Sequence, residues 1–219
     1  MKAMILAAGY GSRMGALVAD TPKVLLKIGD KALIDYHLEK LAEINISEVV
    51  INLHYLPEKI RHHVGDGRRY QLKIQYCFEK ELLGMGGGVY NALPLLGTDP
   101  FIVISGDMWT DYDYANLPKK IETLAHLVLA DNPAFHLQGD FQLQAEKVFH
   151  NGKDNLNYAG FGVYCPELFA NLSAGTYGIT KLLHSAITSG LVSGEHYRGV
   201  WRNINTVEQL QQLRKQYEV

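Results

Sequence analysis

Short apolar runs of strand length recur down the chain, and stretches with helical spacing separate them. Lys2–Leu6 is such a run; it ends at Ala7-Ala8-Gly9, which predicts a buried strand entering a loop. Val24–Ile28 reads as a second short extended piece. Between Asp30 and Ile44, Ile34, Leu38 and Leu41 form one helical stripe. Glu48–Leu53 is apolar and β-branched, which predicts a strand, and Pro57–Val64 predicts a helix with proline in its first turn. Leu72, Ile74, Tyr76 and Phe78 alternate, as in a strand buried on one face. Gly86–Leu93 reads as a short helix stopped by Pro94, and Phe101–Ile104 as a dense strand ending at Ser105-Gly106-Asp107.

The second half is less regular. Asp113–Leu124 reads as helix and Ala125–Ala130 as strand. Phe141–Leu143 and Lys147–His150 suggest a hairpin, Tyr158–Tyr164 a strand, Ile179–Thr188 a helix and Gly199–Arg202 a last short strand. Thr206-x-x-Gln209 fits a capping box, and Val207, Leu210 and Leu213 continue it as a closing helix. Strands alternating with helices predict an α/β fold, a mostly parallel mixed sheet flanked by helices. With no linker, repeat or low-complexity tract, one domain over residues 1–219 is expected.

Composition narrows the function classes. The formal net charge is -2 and there is no basic block, which argues against a nucleic-acid partner. The apolar part of the N-terminus is too short for a signal peptide, and no run approaches a membrane span. A cytoplasmic protein without a membrane partner is expected. Cys77 and Cys165 lie in apolar, strand-like runs and read as reduced core thiols. The histidines show no His-x-x-x-His or Glu-x-x-His spacing, and His62-His63 are adjacent on a helix, so they read as surface residues without zinc. No Ser/His/Asp or Cys/His constellation is apparent.

The loop after the first strand carries the first chemical signal. In Gly9-Tyr10-Gly11-Ser12-Arg13-Met14, two close glycines let backbone N–H groups approach phosphates, and Arg13 adds a planar cation. Alone, such a loop also fits a tight turn with a surface arginine. A Walker A loop is excluded, because no Gly-Lys-Ser/Thr tripeptide exists. The dinucleotide fingerprint fits poorly: Met14 occupies the place of its third small residue. Next comes Thr21-Pro22-Lys23-Val24-Leu25-Leu26, in which Lys23 enters from a loop stiffened by Pro22.

Together, Leu-Ala-Ala-Gly-x-Gly-x-Arg-Met and Pro-Lys-x-Leu resemble the sugar-1-phosphate nucleotidyltransferase family. The resemblance implies a Rossmann-like, GT-A-like fold, with nucleoside triphosphate and sugar 1-phosphate side by side above the sheet. It implies that Ala7, Ala8, Gly9 and Gly11 hold base and phosphates, that Arg13 clamps the triphosphate, and that Lys23 meets the reacting phosphates. Glu79-Lys80-Glu81-Leu82-Leu83-Gly84 matches the base-recognition segment, with Glu79 and Gly84 as the reading positions. A carboxylate accepts the N3–H of uracil, which favours a uridylyltransferase over a cytidylyltransferase. Asp107 matches the family's Mg²⁺ ligand. In Trp201-Arg202-Asn203-Ile204-Asn205-Thr206, Asn203 replaces the more usual aspartate of the second ligand and Asn205 stands in place of Gly. An amide oxygen still suits Mg²⁺, with one negative charge fewer.

The middle of the chain resembles one branch, the N-acetylmuramate-1-phosphate uridylyltransferases. Matching segments include Gly106–Asp113, Asp131-Asn132-Pro133, Gly139-Asp140-Phe141, Gly160–Tyr164 and Ser193–Gly199. By that resemblance Gly139 and Gly160 line the sugar pocket, with Asp113 and Trp109 as weaker candidates; Glu195-His196 also fits a solvated loop. The chain ends after the closing helix, so no acyltransferase module is expected. The implied chemistry is in-line attack of the sugar phosphate on the α-phosphorus, which needs no general base. A mannose- or glucose-1-phosphate enzyme of the same fold, or a non-catalytic sensor, remains as an alternative. Oligomeric state is open, with a monomer as one possibility.

Overall fold

The computed structural model describes residues 1–150 and 152–217; Asn151 and the last two positions of the expected 1–219 domain lie outside the described residues. In chain order the strands are β1 (Ala3–Leu6), β2 (Lys27–Ile28), β3 (Lys31–Ala32), β4 (Glu48–Leu53), β5 (Lys73–Phe78), β6 (Phe101–Ser105), β7 (Met108–Thr110), β8 (Ala125–Ala130), β9 (Phe141–Gln144), β10 (Lys147–Phe149), β11 (Asn155–Tyr164), β12 (Val192–Tyr197) and β13 (Trp201–Asn203). The helices are α1 (Leu33–Glu43), α2 (Pro57–Val64), α3 (Gly84–Leu96), α4 (Ile179–Thr188) and α5 (Val207–Tyr217).

The main sheet has the order β5-β4-β1-β6-β11-β8-β12-β10-β9. It is an α/β fold with a mixed sheet, as expected. Parallel pairing dominates only from β5 to β6; β11 enters antiparallel between β6 and β8, and β8 then pairs parallel with β12. Hence β6, β8 and β12 share one direction, and the segments after Ser105, Ala130 and Tyr197 emerge at one end.

Strand alternation explains the two layers. On one face Ala3, Ile5, Val49, Ile51, Ile102 and Ile104 pack against the stripe of α1 and Ile60 and Val64 of α2. On the other, Met4, Val50, Val103, Leu127 and Leu129 meet Val89, Ala92 and Leu96 of α3 and Leu183 and Ile187 of α4. A third cluster joins Met14, Val18, Leu26, Ile28 and Leu33 to Ile204, Leu210 and Leu213, so α5 supports the loop after β1.

Four expectations need correction. α3 runs through Pro94 to Leu96. A proline in the final turn removes a single helical donor, and Leu96 is still buried. Asp113–Leu124 is not helical beyond a 3-10 turn at Tyr114–Asn116, because Leu117 precedes Pro118 and is held extended at φ -61°, ψ 134°. The region 192–197 is a strand, hidden in the sequence by its polar side chains. Ser193, Glu195 and His196 find partners in His126, Tyr112 and Asp131 respectively. Finally, His37 is not a surface residue: it is 2% exposed, with Nε2 2.9 Å from the Met108 carbonyl and Nδ1 2.9 Å from the Tyr114 hydroxyl. Both cysteines are free thiols, as expected, though Cys165 is only half-buried.

Candidate active site

The carboxyl ends of β1 and β6 open into a cavity of about 340 Å³, at the end of the sheet where ligands of α/β folds collect. Its walls include Ala7, Ala8, Gly9, Gly11, Arg13, Lys23, Asn52, Glu79, Gly84, Ser105, Asp107 and Asn205. Thus the nucleotide-binding residues expected from the sequence converge, with the catalytic trio Arg13, Lys23 and Asp107. A wider groove of about 740 Å³ beside the entry to β4 is lined by Asp35, Glu39, Glu43 and Arg69. It lacks glycine-rich backbone and carries more acid than base, so it does not suit a triphosphate.

Local geometry explains why each residue stands where it does. Gly11 has φ +65°, and a Cβ there would lie 3.2 Å from Lys23 Cβ, so glycine lets the loop close over the lysine. Lys23 is 7% exposed. Its Nζ donates to Asp107 Oδ2 at 2.6 Å and to Asn205 Oδ1 at 2.8 Å. Arg13 Nη2 donates to the same Asn205 oxygen at 2.9 Å. Lys23 is therefore paired with a carboxylate, whereas Arg13 meets a neutral amide and keeps its charge available. Asp107 is placed by Gly106, whose N–H donates to Leu6 O and whose Cβ would lie 2.8 Å from that oxygen. The Ile204 N–H donates to the Asp107 carbonyl at 3.0 Å, and Asn203 pairs with Met108 in the β7–β13 ribbon.

That ribbon tests the fit of a metal. Asn203 Oδ1 is buried without a hydrogen-bond partner among the described residues, an orphaned acceptor of the kind a hard cation satisfies. Asp107, the residue before its strand partner Met108, supplies a carboxylate from the facing end of the ribbon. Two oxygen donors suit Mg²⁺, which keeps several waters and takes one or two protein ligands. Among the described residues no group of three His, Cys, Asp or Glu side chains converges.

The base-reading side is built on a buried relay. Asn52 Oδ1 accepts from the Ala7 N–H at 2.8 Å, and its Nδ2 donates to Glu79 Oε1 at 2.6 Å. Glu79 Oε2 accepts from the Leu83 N–H at 3.1 Å. Glu79 is 6% exposed, so it is not a solvated strand-end charge. Gly88 makes room for this pair: a Cβ would lie 2.8 Å from Glu79 Oε1. Gly84, at φ +70°, lies against Tyr177 O, where a Cβ would approach to 2.8 Å. The Gly86 and Gly87 N–H groups both donate to Tyr177 O. At the start of α3 these two N–H groups are thus taken up by Tyr177 and not left for an anion.

The three expected sugar residues separate. Gly160 sits at φ +84° in a bulge of β11, where a Cβ would lie 3.1 Å from Ser105 Oγ, so it borders the cavity. Trp201 Nε1 donates to Ala159 O at 2.7 Å and holds that bulge. Gly139 lines a different groove, with Asn132, Leu137 and Asn155, in the segment after β8. Asp113 is not brought to the cavity; its carboxylate accepts from Ala115 N and caps the 3-10 turn.

Sequence reading missed Asn52, Ser105 and the bridging role of Asn205. Asn52 carried a signal, as a lone amide within the apolar run Val49–Leu53. A link between Tyr10 and His54 (Oη to Nε2, 2.7 Å) and from His54 Nδ1 to Glu79 O (2.9 Å) had none.

Comparison with known proteins agrees with this geometry. The family model described as nucleotidyl transferase matches residues 2–131. The chain is 39% identical to the N-acetylmuramate alpha-1-phosphate uridylyltransferase of Neisseria meningitidis, over 97% of this chain and 96% of that one. It is 29% identical to the protein of the same name from Caulobacter vibrioides, over 92% and 90%. HddC from Yersinia pseudotuberculosis, solved with GMP-PN, superposes with a TM-score of 0.82 at 19% identity and 99% coverage of both chains, which shows the shared fold. No described helix is long and apolar enough to cross a membrane. The glycine loop, the lysine behind it and the strand-end aspartate thus belong to a nucleotidyltransferase, and the chain is a member of the nucleotidyl transferase family.

Proposed function

We propose that the chain transfers the uridylyl group of UTP to N-acetylmuramate 1-phosphate and releases pyrophosphate, with Mg²⁺ as cofactor. The observation that carries this reading is the convergence of Arg13, Lys23 and Asp107 on one cavity. The two relatives named for this sugar support the substrate, since they match over nearly their whole length. The buried Glu79 carboxylate supports uracil as the base. Such chemistry places the protein in the cytoplasm, in the recycling of cell-wall sugars.

The sugar phosphate is already an anion, so no side chain has to remove a proton. Lys23 holds the incoming phosphate against the α-phosphorus, and Arg13 faces the departing pyrophosphate. Asp107 and Asn203 would hold Mg²⁺, which would supply positive charge to the reacting phosphates. The backbone of Ala7–Gly11 lies along the nucleotide and keeps its geometry in line.

The test is pyrophosphate release with UTP, Mg²⁺ and a panel of sugar 1-phosphates. Turnover confined to N-acetylmuramate 1-phosphate and abolished by EDTA is expected. Turnover with mannose or glucose 1-phosphate instead overturns the substrate. Nucleotide binding without release for every sugar and metal overturns catalysis and leaves a sensor.

A further inference from the structure

Asn205 stands in the active site without a role in the scheme above. We propose that it is a positioning residue, a neutral anchor that sets Lys23 and Arg13 at one point while leaving their charge for phosphate. The proposal rests on the nucleotidyl-transfer reading but on neither its sugar nor its base.

Four observations converge. The residue is 6% exposed and lines the cavity. Its Oδ1 accepts from Lys23 Nζ at 2.8 Å and Arg13 Nη2 at 2.9 Å. Lysine and arginine are donors only, so the amide oxygen must be the atom between them, and the orientation of the side chain is settled. Its backbone is locked from the other side: Gln209 Oε1 accepts from the Asn205 N–H at 2.7 Å and from the Thr206 N–H at 3.0 Å, in the capping box of α5. α5 in turn packs Leu210 and Leu213 against Met14 and Val18, on either side of the phosphate loop's end. A rigid cap thus carries an acceptor to the one place where two cations from different loops meet.

The neutrality of that acceptor is its point. Lys23 pairs with the Asp107 carboxylate while Arg13 donates to the neutral Asn205 oxygen, which leaves an excess positive charge locally, on the Arg13 guanidinium. A carboxylate at 205 would bind the cations more tightly and cancel that excess. An amide fixes their direction and leaves them attractive to an anion.

The experiment compares Asn205→Ala and Asn205→Asp with the wild type in two assays. One is kcat and KM with the nucleotide and sugar 1-phosphate that the wild type accepts. The other is calorimetric affinity for inorganic pyrophosphate with Mg²⁺, which needs neither base nor sugar. Hydrogen bonds to charged groups support an expected loss of about tenfold for Asn205→Ala and roughly tenfold more for the aspartate variant, in kcat and in pyrophosphate affinity. Thermal unfolding should stay near wild type for both. A merely structural role predicts the reverse order, because aspartate is nearly isosteric with asparagine. In a double-mutant cycle, adding Asn205→Ala to Arg13→Ala should lower kcat by less than about twofold. Aspartate tolerated as well as alanine or better, additive losses in the cycle, or wild-type values in Asn205→Ala each overturn the proposal. If the wild type binds pyrophosphate but rejects every sugar tried, the substrate reading fails, and the order of pyrophosphate affinities still decides the role of Asn205. If the wild type binds no pyrophosphate, both readings fall.

Discussion

His37→Phe probes how the β7–β13 ribbon is held to the rest of the fold. His37 lies on α1, fully buried, and its two ring nitrogens reach the carbonyl of Met108 and the hydroxyl of Tyr114. A carbonyl only accepts, so Nε2 carries the proton and Nδ1 accepts from Tyr114: the ring is neutral and its tautomer is fixed. Burial drives its pKa down to about 4, against a lesser upward pull from the Met108 hydrogen bond. The sign follows from linkage. A histidine at about 4 folded and 6.5 unfolded takes up its proton more readily when unfolded, so its contribution is complete above the unfolded value and is lost as pH falls toward 4. At 1.36 kcal/mol per unit, that loss is about 2 kcal/mol by pH 5 and about 3 kcal/mol by pH 4. His37→Phe keeps the volume and removes the titration, and it strands a buried carbonyl and hydroxyl, for about 2–4 kcal/mol at pH 7. Urea unfolding of both proteins at pH 7, 5 and 4 measures this. The gap between them should be widest at pH 7 and shrink by about 3 kcal/mol toward pH 4. Other carboxylates titrate in that window, but they are common to both proteins and cancel. A gap constant with pH, or below about 1 kcal/mol at pH 7, refutes the buried neutral imidazole as the anchor.

Four further substitutions test the site. Asp107→Ala and Arg13→Ala should each lower kcat by roughly tenfold to a hundredfold with the fold intact, read by pyrophosphate release; near wild-type turnover in either removes that residue from the chemistry. Asn52→Ala strands the Ala7 N–H and a buried Glu79 oxygen, so it should destabilise by about 2 kcal/mol or more and raise KM for the nucleotide. Unchanged stability and KM would show that the relay does not shape the pocket. Gly160→Ala forces a side chain into φ +84° against Ser105 and should lower stability by about 1–3 kcal/mol, by thermal unfolding.

Local signals made the first hundred residues legible. β4 and α2 fall at the expected residues because their apolar periods are undisturbed, and β1 and β6 deliver the glycine loop and Asp107 as their sequence ends suggest. The errors arose where tertiary partners override composition. β12 carries Ser193, Glu195 and His196, whose polarity disguises a strand until their partners on neighbouring segments are known. His37 could not be placed, because its acceptor and donor lie some seventy residues away in sequence, as the separations of 71 and 77 show. Asp113 was a sugar-pocket candidate by resemblance alone, and the structure uses it as a cap. The bridging of Asn205 likewise spans separations of 182 and 192, beyond any local pattern.

The two asparagines of Asn203-Ile204-Asn205 make one electrostatic argument. Had both been aspartate, two more carboxylates would join Asp107 and Glu79 against Arg13 and Lys23, and the free site would be negative where a triphosphate and a sugar phosphate must enter. With amides at both places Arg13 and Lys23 balance Asp107 and Glu79 before any metal arrives, and the anions meet no added repulsion in a partly enclosed cavity, where charge is less screened than in bulk water. The amide at 203 keeps an oxygen for a cation, as its orphaned Oδ1 shows, and the amide at 205 keeps an oxygen for the two side chains. Metal-free nucleotide affinity should therefore survive better in this chain than in its Asn203→Asp variant, while Mg²⁺ affinity should be higher in the variant. Calorimetry of UTP with EDTA, and of Mg²⁺ alone, reads both. A variant that binds metal-free UTP as tightly as the wild type refutes this account of the charge balance.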